Sequence, residues 1–117
     1  MKHIQDYSFE DGKITRISMY GNFVELLFEQ WNNKMIRLCF EEYWRIKDSH
    51  SIDEGVGELI IDSSSSLISE VIKDIVDGSG SEEEANGLNS YSFVSSWGDR
   101  VLFEIVARNV KVEEINS

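Results

Sequence analysis

Proline is missing from this chain of 117 residues. Every turn must therefore be made by Gly, Asn, Asp or Ser, and no prolyl isomerisation slows folding. A single cysteine, Cys39, excludes an internal disulfide. It falls in the apolar run Ile36-Arg37-Leu38-Cys39-Phe40, where it reads as a small buried hydrophobe. No stretch approaches the roughly 20 apolar residues of a transmembrane helix. The opening Met1-Lys2-His3-Ile4-Gln5-Asp6 has no apolar stretch of the kind a secretion signal needs. These absences fit a reducing cytoplasm.

Basic residues are scarce as well. Eleven Lys and Arg stand against 22 Asp and Glu, a net charge of -11. Such a chain repels phosphate backbones and anionic lipid, which argues against direct nucleic-acid or membrane binding. The acidity is also localised. Residues 48–84 contain Asp48, Asp53, Glu54, Glu58, Asp62, Glu70, Asp74, Asp77, Glu82, Glu83 and Glu84 against Lys73 alone. That is 11 minus 1, ten net negative charges, while the other residues carry 11 acidic and 10 basic side chains.

What is present suits one globular domain over residues 1–117, with 41% hydrophobic and 11% aromatic residues. Asp11-Gly12 reads as a hairpin turn, with Tyr7 and Phe9 before it and Ile14, Ile17 and Met19 after it. Gly21-Asn22 and Trp31-Asn32-Asn33 are two more turns, flanking an apolar strand from Phe23 to Glu29. Met35 to Glu41 alternates with period 2, and Tyr43 to Lys47 either extends that strand past a bulge or begins another. Gly55 to Gly57 reads as a break before a short strand, Glu58 to Asp62. The period then changes. Leu67, Ile68, Val71, Ile72, Ile75 and Val76 form one helical stripe, with residues 64–66 as a serine cap. Gly78 suits the left-handed position beyond its last turn. A polar loop covers residues 78–89. Tyr91, Phe93, Ser95 and Trp97 then form a strand, and Gly98-Asp99 turns it back along Val101, Phe103, Ile105 and Ala107. Asn109 reads as a turn into one further strand, Val110-Lys111-Val112. The expected fold is α+β: a mostly antiparallel β-meander of six to eight strands, with one amphipathic helix packed on a face.

Catalytic patterns are wanting. The two histidines are His3, at the N-terminus, and His50, in the loop Asp48-Ser49-His50-Ser51. No serine sits in a Gly-x-Ser-x-Gly elbow, and the run Ser63-Ser64-Ser65-Ser66 is explained by helix capping. Asp48, His50, Asp53 and Glu54 are hard-metal ligand types, but Gly55 and Gly57 do not fall where a calcium loop places its glycine. The glycines of Gly78-Ser79-Gly80-Ser81 are followed by Glu82-Glu83-Glu84, which would repel a phosphate. Trp31, Trp44, Trp97, Tyr43 and Tyr91 are residues that could line a ligand groove, but such aromatics are more often core or turn packing, with Trp97 at a hairpin end. The six phenylalanines read as core, and Phe40-Glu41-Glu42-Tyr43-Trp44 is a second patch a partner could meet. The expectation is a binding protein without cofactor or metal, not an enzyme.

Three segments carry a resemblance: Tyr7-Ser8-Phe9-Glu10-Asp11-Gly12-Lys13-Ile14-Thr15-Arg16-Ile17, Ile36-Arg37-Leu38-Cys39-Phe40-Glu41-Glu42-Tyr43-Trp44-Arg45-Ile46, and the closing stretch from Ser92-Phe93-Val94 to Val110-Lys111-Val112. In these the chain resembles bacterial immunity proteins of polymorphic and contact-dependent growth inhibition toxin systems. Residues 62–84 lie outside the likeness. The resemblance implies a cytoplasmic antitoxin that binds the C-terminal domain of a cognate toxin and masks its active site. Many such toxins are nucleases with basic surfaces, which a dense acidic segment complements. The expected partner-binding residues are Asp53, Glu54, Glu58, Asp62, Glu70, Asp74, Asp77, Glu82, Glu83 and Glu84. An acidic surface also keeps a small domain soluble. The alternative function is a cytoplasmic secretion chaperone that holds an effector protein, a class that usually opens with an amphipathic helix.

Overall fold

The computed structural model describes residues 3–63, 66–78, 87–98 and 100–115, with the side chains of residues 66, 67 and 76 outside that description. Six antiparallel strands carry the fold: β1 (Gly12–Tyr20), β2 (Phe23–Glu29), β3 (Met35–Asp48), β4 (Gly55–Asp62), β5 (Asn89–Ser95) and β6 (Val101–Ile115). A helix, α1 (Ser66–Asp77), joins β4 to β5, and one 3-10 turn, Ile4–Asp6, precedes β1. The sheet closes on itself in the order β1-β2-β3-β6-β5-β4. Two three-stranded meanders are thus joined along β3 and β6, as an α+β fold with its helix on the outside of the sheet.

The β3–β6 pair is the spine. Its ladder runs from Met35 opposite Ile115 to Asp48 opposite Phe103. Fifteen residues of β6, at about 3.3 Å each, reach about 50 Å, and the longest dimension of the molecule is 46 Å. One bulge interrupts the ladder between Tyr43 and Arg45, where Glu42 takes a left-handed φ of 52°. Tyr43 to Lys47 therefore continues β3 past a bulge. Arg108 on β6 holds the Glu42 carboxylate at 2.7 Å, which anchors the irregular backbone.

Several expectations are corrected. Asp11 does turn the chain, with φ 63°, but Tyr7 and Phe9 form no strand before it. Phe9 instead drops into the core, edge-on to Phe28 at 4.9 Å between ring centroids. Asn109 is no turn, because its neighbours on β6 stay paired with β3 through Glu41 and Phe40. The supposed last strand is the far half of β6. Gly55 opens β4 and Gly57 lies within it, so they do not end a strand, although the ladder with β5 shifts register between Val56 and Glu58. The reason is close approach: a Cβ on Gly57 would meet the Ser95 carbonyl oxygen at 2.8 Å, and one on Gly12 would meet the Phe28 ring at 2.4 Å. Gly57 thus lets β5 lie close against β4, while Gly12 stands in the narrowest seam of the barrel, where β1 and β4 pair only through Gly12 opposite Val56 and Lys13 opposite Gly55. Gly78 donates its N–H to the Asp74 carbonyl at 3.0 Å without a left-handed φ, so the helix does not end on the motif expected. Ser64 and Ser65 of the expected cap, and Asp99 of the expected turn, lie outside the described residues.

Alternation along β2 and β3 sends Val24, Leu26, Phe28, Ile36, Leu38 and Phe40 into the barrel. Phe93, Phe103, Ile105 and Tyr91 meet them from the other meander. A bulge at Phe93–Val94 brings Leu102 into this core beside Phe103 and leaves Val101 outside. Ile4 of the 3-10 turn is also buried against it, with the His3 N–H donating to the Asp6 carboxylate at 2.7 Å. Of the six phenylalanines, only Phe23 is outside the buried set, and it stacks on Tyr20 at 5.3 Å.

A second, smaller cluster holds the helix. Ile68, Val71 and Ile75 pack on Val106 and Leu88, with Ile72 at the margin. Val106 points outward between the inward Ile105 and Ala107, so the first half of β6 is buried on both faces. A 12-residue helix is marginal on its own, and this apolar seat is what makes it persist. Burial of each such side chain stabilises by about 1.5–3 kcal/mol.

Val71→Asp would place a carboxylate in that seat at a cost of more than about 3 kcal/mol. The expected result is a thermal midpoint lower by about 10 °C or more, or loss of the helical circular-dichroism signal. An unchanged midpoint and spectrum would show that α1 is not held by this contact.

Candidate partner-binding surface

Asp53 and Glu54 sit in the loop between β3 and β4. Two residues of this loop take left-handed φ, His50 at 54° and Asp53 at 64°. The loop is braced by Asp48, whose Oδ1 accepts from the Ser51 hydroxyl at 2.6 Å and the Ser51 N–H at 3.1 Å, with Ser51 fully buried. The Asp53 N–H donates to the Ile14 carbonyl at 2.9 Å, fastening the loop to β1. Both carboxylates face cations from outside the acidic segment: Asp53 meets Lys13 at 3.9 Å and Glu54 meets Arg100 at 3.8 Å.

Glu58 and Asp62 follow on β4. They share its outer face with the exposed Ile60, because residues two apart on a strand point the same way. The chain then passes into α1. Glu70 and Asp74, one turn apart, both reach Arg45 on β3, Glu70 at 3.8 Å and Asp74 in direct contact. Arg45 lies opposite Val106, the residue under the helix, so the ion pairs clamp the margin of the same seat that the apolar cluster fills. Asp77 is exposed at the helix end. Glu82, Glu83 and Glu84 lie outside the described residues.

The seven described acids therefore follow one path along the chain, from the β3–β4 loop over the outside of β4 to the helix. Four of them, Asp53, Glu54, Glu70 and Asp74, meet three cations, Lys13, Arg100 and Arg45. Lys13 also pairs with Glu29 at 3.8 Å, and Arg45 is shared between two carboxylates. The path keeps excess negative charge. These intramolecular pairs were not foreseen from sequence, because their cations lie far off in the chain and arrive by sheet register.

The aromatic residues divide unexpectedly. All three tryptophans are substantially exposed: Trp31 at 65%, Trp44 at 45% and Trp97 at 90%. Packing was the expectation; Trp31 in the β2–β3 turn and Trp97 at a hairpin end are placed as read, but neither is buried. Tyr91 does belong to the core, edge-on to Phe40 at 5.1 Å, and burial pushes its phenol pKa up. Phe40 is fully buried and Tyr43 packs against the core, so the patch from Phe40 to Trp44 offers a partner chiefly Glu42 and Trp44. Met19 and Tyr20 at the β1–β2 tip are exposed apolar residues that the sequence reading missed. Cys39 is corrected as well. It lies partly exposed on the outer face of β3, in a cleft with Glu25, Arg37, Glu41 and Lys111. Partial burial, then the neighbouring Glu41 and Glu25, raise its pKa, which keeps it a thiol at neutral pH.

Among the described residues no group of three His, Cys, Asp or Glu side chains is arranged to hold a metal ion. No helix among them is long and apolar enough to cross a membrane. Removing divalent ions with a chelator is expected to leave the melting temperature unchanged. A fall in melting temperature that added calcium or zinc reverses would make the loop around Asp53 a metal site.

Comparison of the chain with protein-family models, with curated proteins and with solved structures finds no match.

Proposed function

We propose that this chain is a cytoplasmic immunity protein that binds the C-terminal domain of a cognate toxin, a basic nuclease, and neutralises it by covering the active site. The supporting observation is the acidic path itself. Residues 48–84 hold ten net negative charges, and the described acids from Asp53 to Asp77 outnumber the three cations that reach them. A nuclease must present positive charge to the phosphates it cleaves. An excess of carboxylates on a rigid strand and helix complements such a site, draws it in over long range and needs little reordering on contact. The resemblance of the strand segments to immunity proteins points the same way.

The secretion-chaperone reading has less support. It expects an opening amphipathic helix, whereas residues 4–6 form one 3-10 turn whose Ile4 is buried against the barrel core. The enzyme reading would need His50, Asp53 and Glu54 to converge in a cleft. Asp53 and Glu54 instead meet Lys13 and Arg100.

The adjacent gene supplies the test. It is expected to encode a toxin with a basic C-terminal domain, and an equimolar amount of this chain should abolish that domain's nuclease activity. Association should slow steeply with rising salt, while dissociation changes less. Charge reversal is cleanest at Glu58 and Asp77, which have no ion pair among the described residues. Reversal at Glu70 or Asp74 would also break the Arg45 clamp. Glu58→Lys and Asp77→Lys should each slow association about two- to tenfold at low salt, and Glu114→Lys, outside the segment, should change it less. Nuclease activity unaffected by the chain would overturn the proposal. If the chain inhibits but all three reversals behave alike, the acidity serves solubility and the partner is met elsewhere.

A further inference from the structure

Among the described residues the far half of β6 has an edge that no strand pairs, with the 3-10 turn of Ile4 across a cleft from it. β5 pairs with β6 only as far as Asn89 opposite Ala107. Beyond that point Leu88 leaves the sheet to pack beneath the helix, and Gly87 turns with φ 84°. Among the described residues no strand lies on that side of residues 108–115, although β3 pairs with them on the other. A cleft of about 660 Å³ runs along this edge, between Val110 and Val112 on one side and Ile4, Ile61 and Tyr91 on the other. An open edge of this kind is a template for another strand unless its side chains forbid it.

We propose that the occupant is a second copy of this chain, its β6 antiparallel to the first, with the two-fold axis at Val112. The argument is charge complementarity in register. Opposed residues of an antiparallel pair share a face, so only registers that match outer with outer residues keep Val110 and Val112 on the inner side. Centring on Lys111 would oppose two lysines, and centring on Glu113 would oppose two glutamates. Centring on Val110 would bring Glu113 against Ala107, a position β5 already occupies. Centring on Val112 opposes Lys111 to Glu113 of the second copy, twice, and Val112 to itself, with Val110 opposite Glu114 on the inner side. Within each chain Arg37 already meets Glu113 at 3.2 Å and Lys111 meets Glu41 at 3.5 Å. The join would extend this into a row of alternating sign, Arg37, Glu113, then Lys111 and Glu41 of the second copy. Repulsion between two acidic molecules is reduced here, since residues 108–115 carry Arg108 and Lys111 against Glu113 and Glu114, no net charge.

The proposal uses none of the acids assigned to the toxin-facing path, so either can fail without the other. Its test is the mass of the purified chain by analytical ultracentrifugation over a dilution series, for wild type, Lys111→Glu, Glu113→Lys and a mixture of the two variants. Both side chains are mostly exposed, 71% and 68%, so each variant should fold, as circular dichroism will check. Wild type should dimerise. Each variant alone opposes like charges across the axis and should associate about tenfold or more weakly. In the mixture, both opposed pairs across the axis join a glutamate of one variant to a lysine of the other. A one-to-one dimer of wild-type strength should therefore be recovered. A monomeric wild type overturns the proposal. So does a Glu113→Lys variant that dimerises like wild type, or a mixture of folded variants that stays monomeric.

Discussion

The antiparallel ladder between β3 and β6 is the interaction on which the rest of this molecule depends. Each meander on its own is three strands with one apolar face, and neither could bury that face alone. The ladder lays them side by side so that Phe28, Phe40, Phe93 and Phe103 reach one interior. Its length exceeds what either meander needs. β2 covers β3 only as far as Glu41, and β5 covers β6 only as far as Ala107. The surplus at one end becomes the platform for α1, through Arg45 and Val106. At the other end it becomes an open strand edge.

Closing the sheet demands more of the sequence than forming it. At the β1–β4 seam two strands approach over a two-residue contact, where a side chain at Gly12 would strike Phe28; beside it, across the β4–β5 ladder, one at Gly57 would strike Ser95. Neighbouring turns draw on left-handed backbone at Asp11, Asn33, His50 and Asp53, a cost that is lowest for short polar side chains such as Asp and Asn. The Asp53 N–H to Ile14 carbonyl bond and the Asp11 N–H to Val56 carbonyl bond, both 2.9 Å, secure that end of the barrel. The first acids of the path, Asp53 and Glu54, are therefore carried on a fastened loop.

Charge and fold are separable to an unusual degree. The outer face of β2, β3 and far β6 alternates in sign, with Glu25, Arg37 and Glu113 in one row and Glu41 beside Lys111. These pairs are exposed enough that each adds little to stability. The excess of carboxylates is displaced onto β4 and α1, which contribute one side of the short β1–β4 seam and the outer layer of the sheet. An acidic surface placed there leaves the β3–β6 ladder free of like-charge crowding, while Glu70 and Asp74 also hold the margin of the helix through Arg45.

Local pattern alone determined much of this protein. The apolar strand from Phe23 to Glu29, period-2 alternation from Met35 to Glu41 and from Tyr91 to Ser95, the change to helical spacing at Leu67, and the turns at Gly21-Asn22 and Trp31-Asn33 all report short-range constraints that a sequence states directly. The localisation of acid in residues 48–84 is likewise a property of the chain. Tertiary structure decided the remainder because it depends on residues distant in sequence. Nothing near Asn109 announces that β3 will hold it extended. Nothing near Gly57 announces that Ser95 will lie against it. Cys39 and the inward residues beside it look alike until the sheet assigns them opposite faces. Which acids keep their charge unpaired was also settled at a distance, since Arg45 reaches Glu70 and Asp74 only because β3 passes beneath the helix. A sequence records the preferences of neighbours, whereas the closure of a barrel chooses which strangers meet.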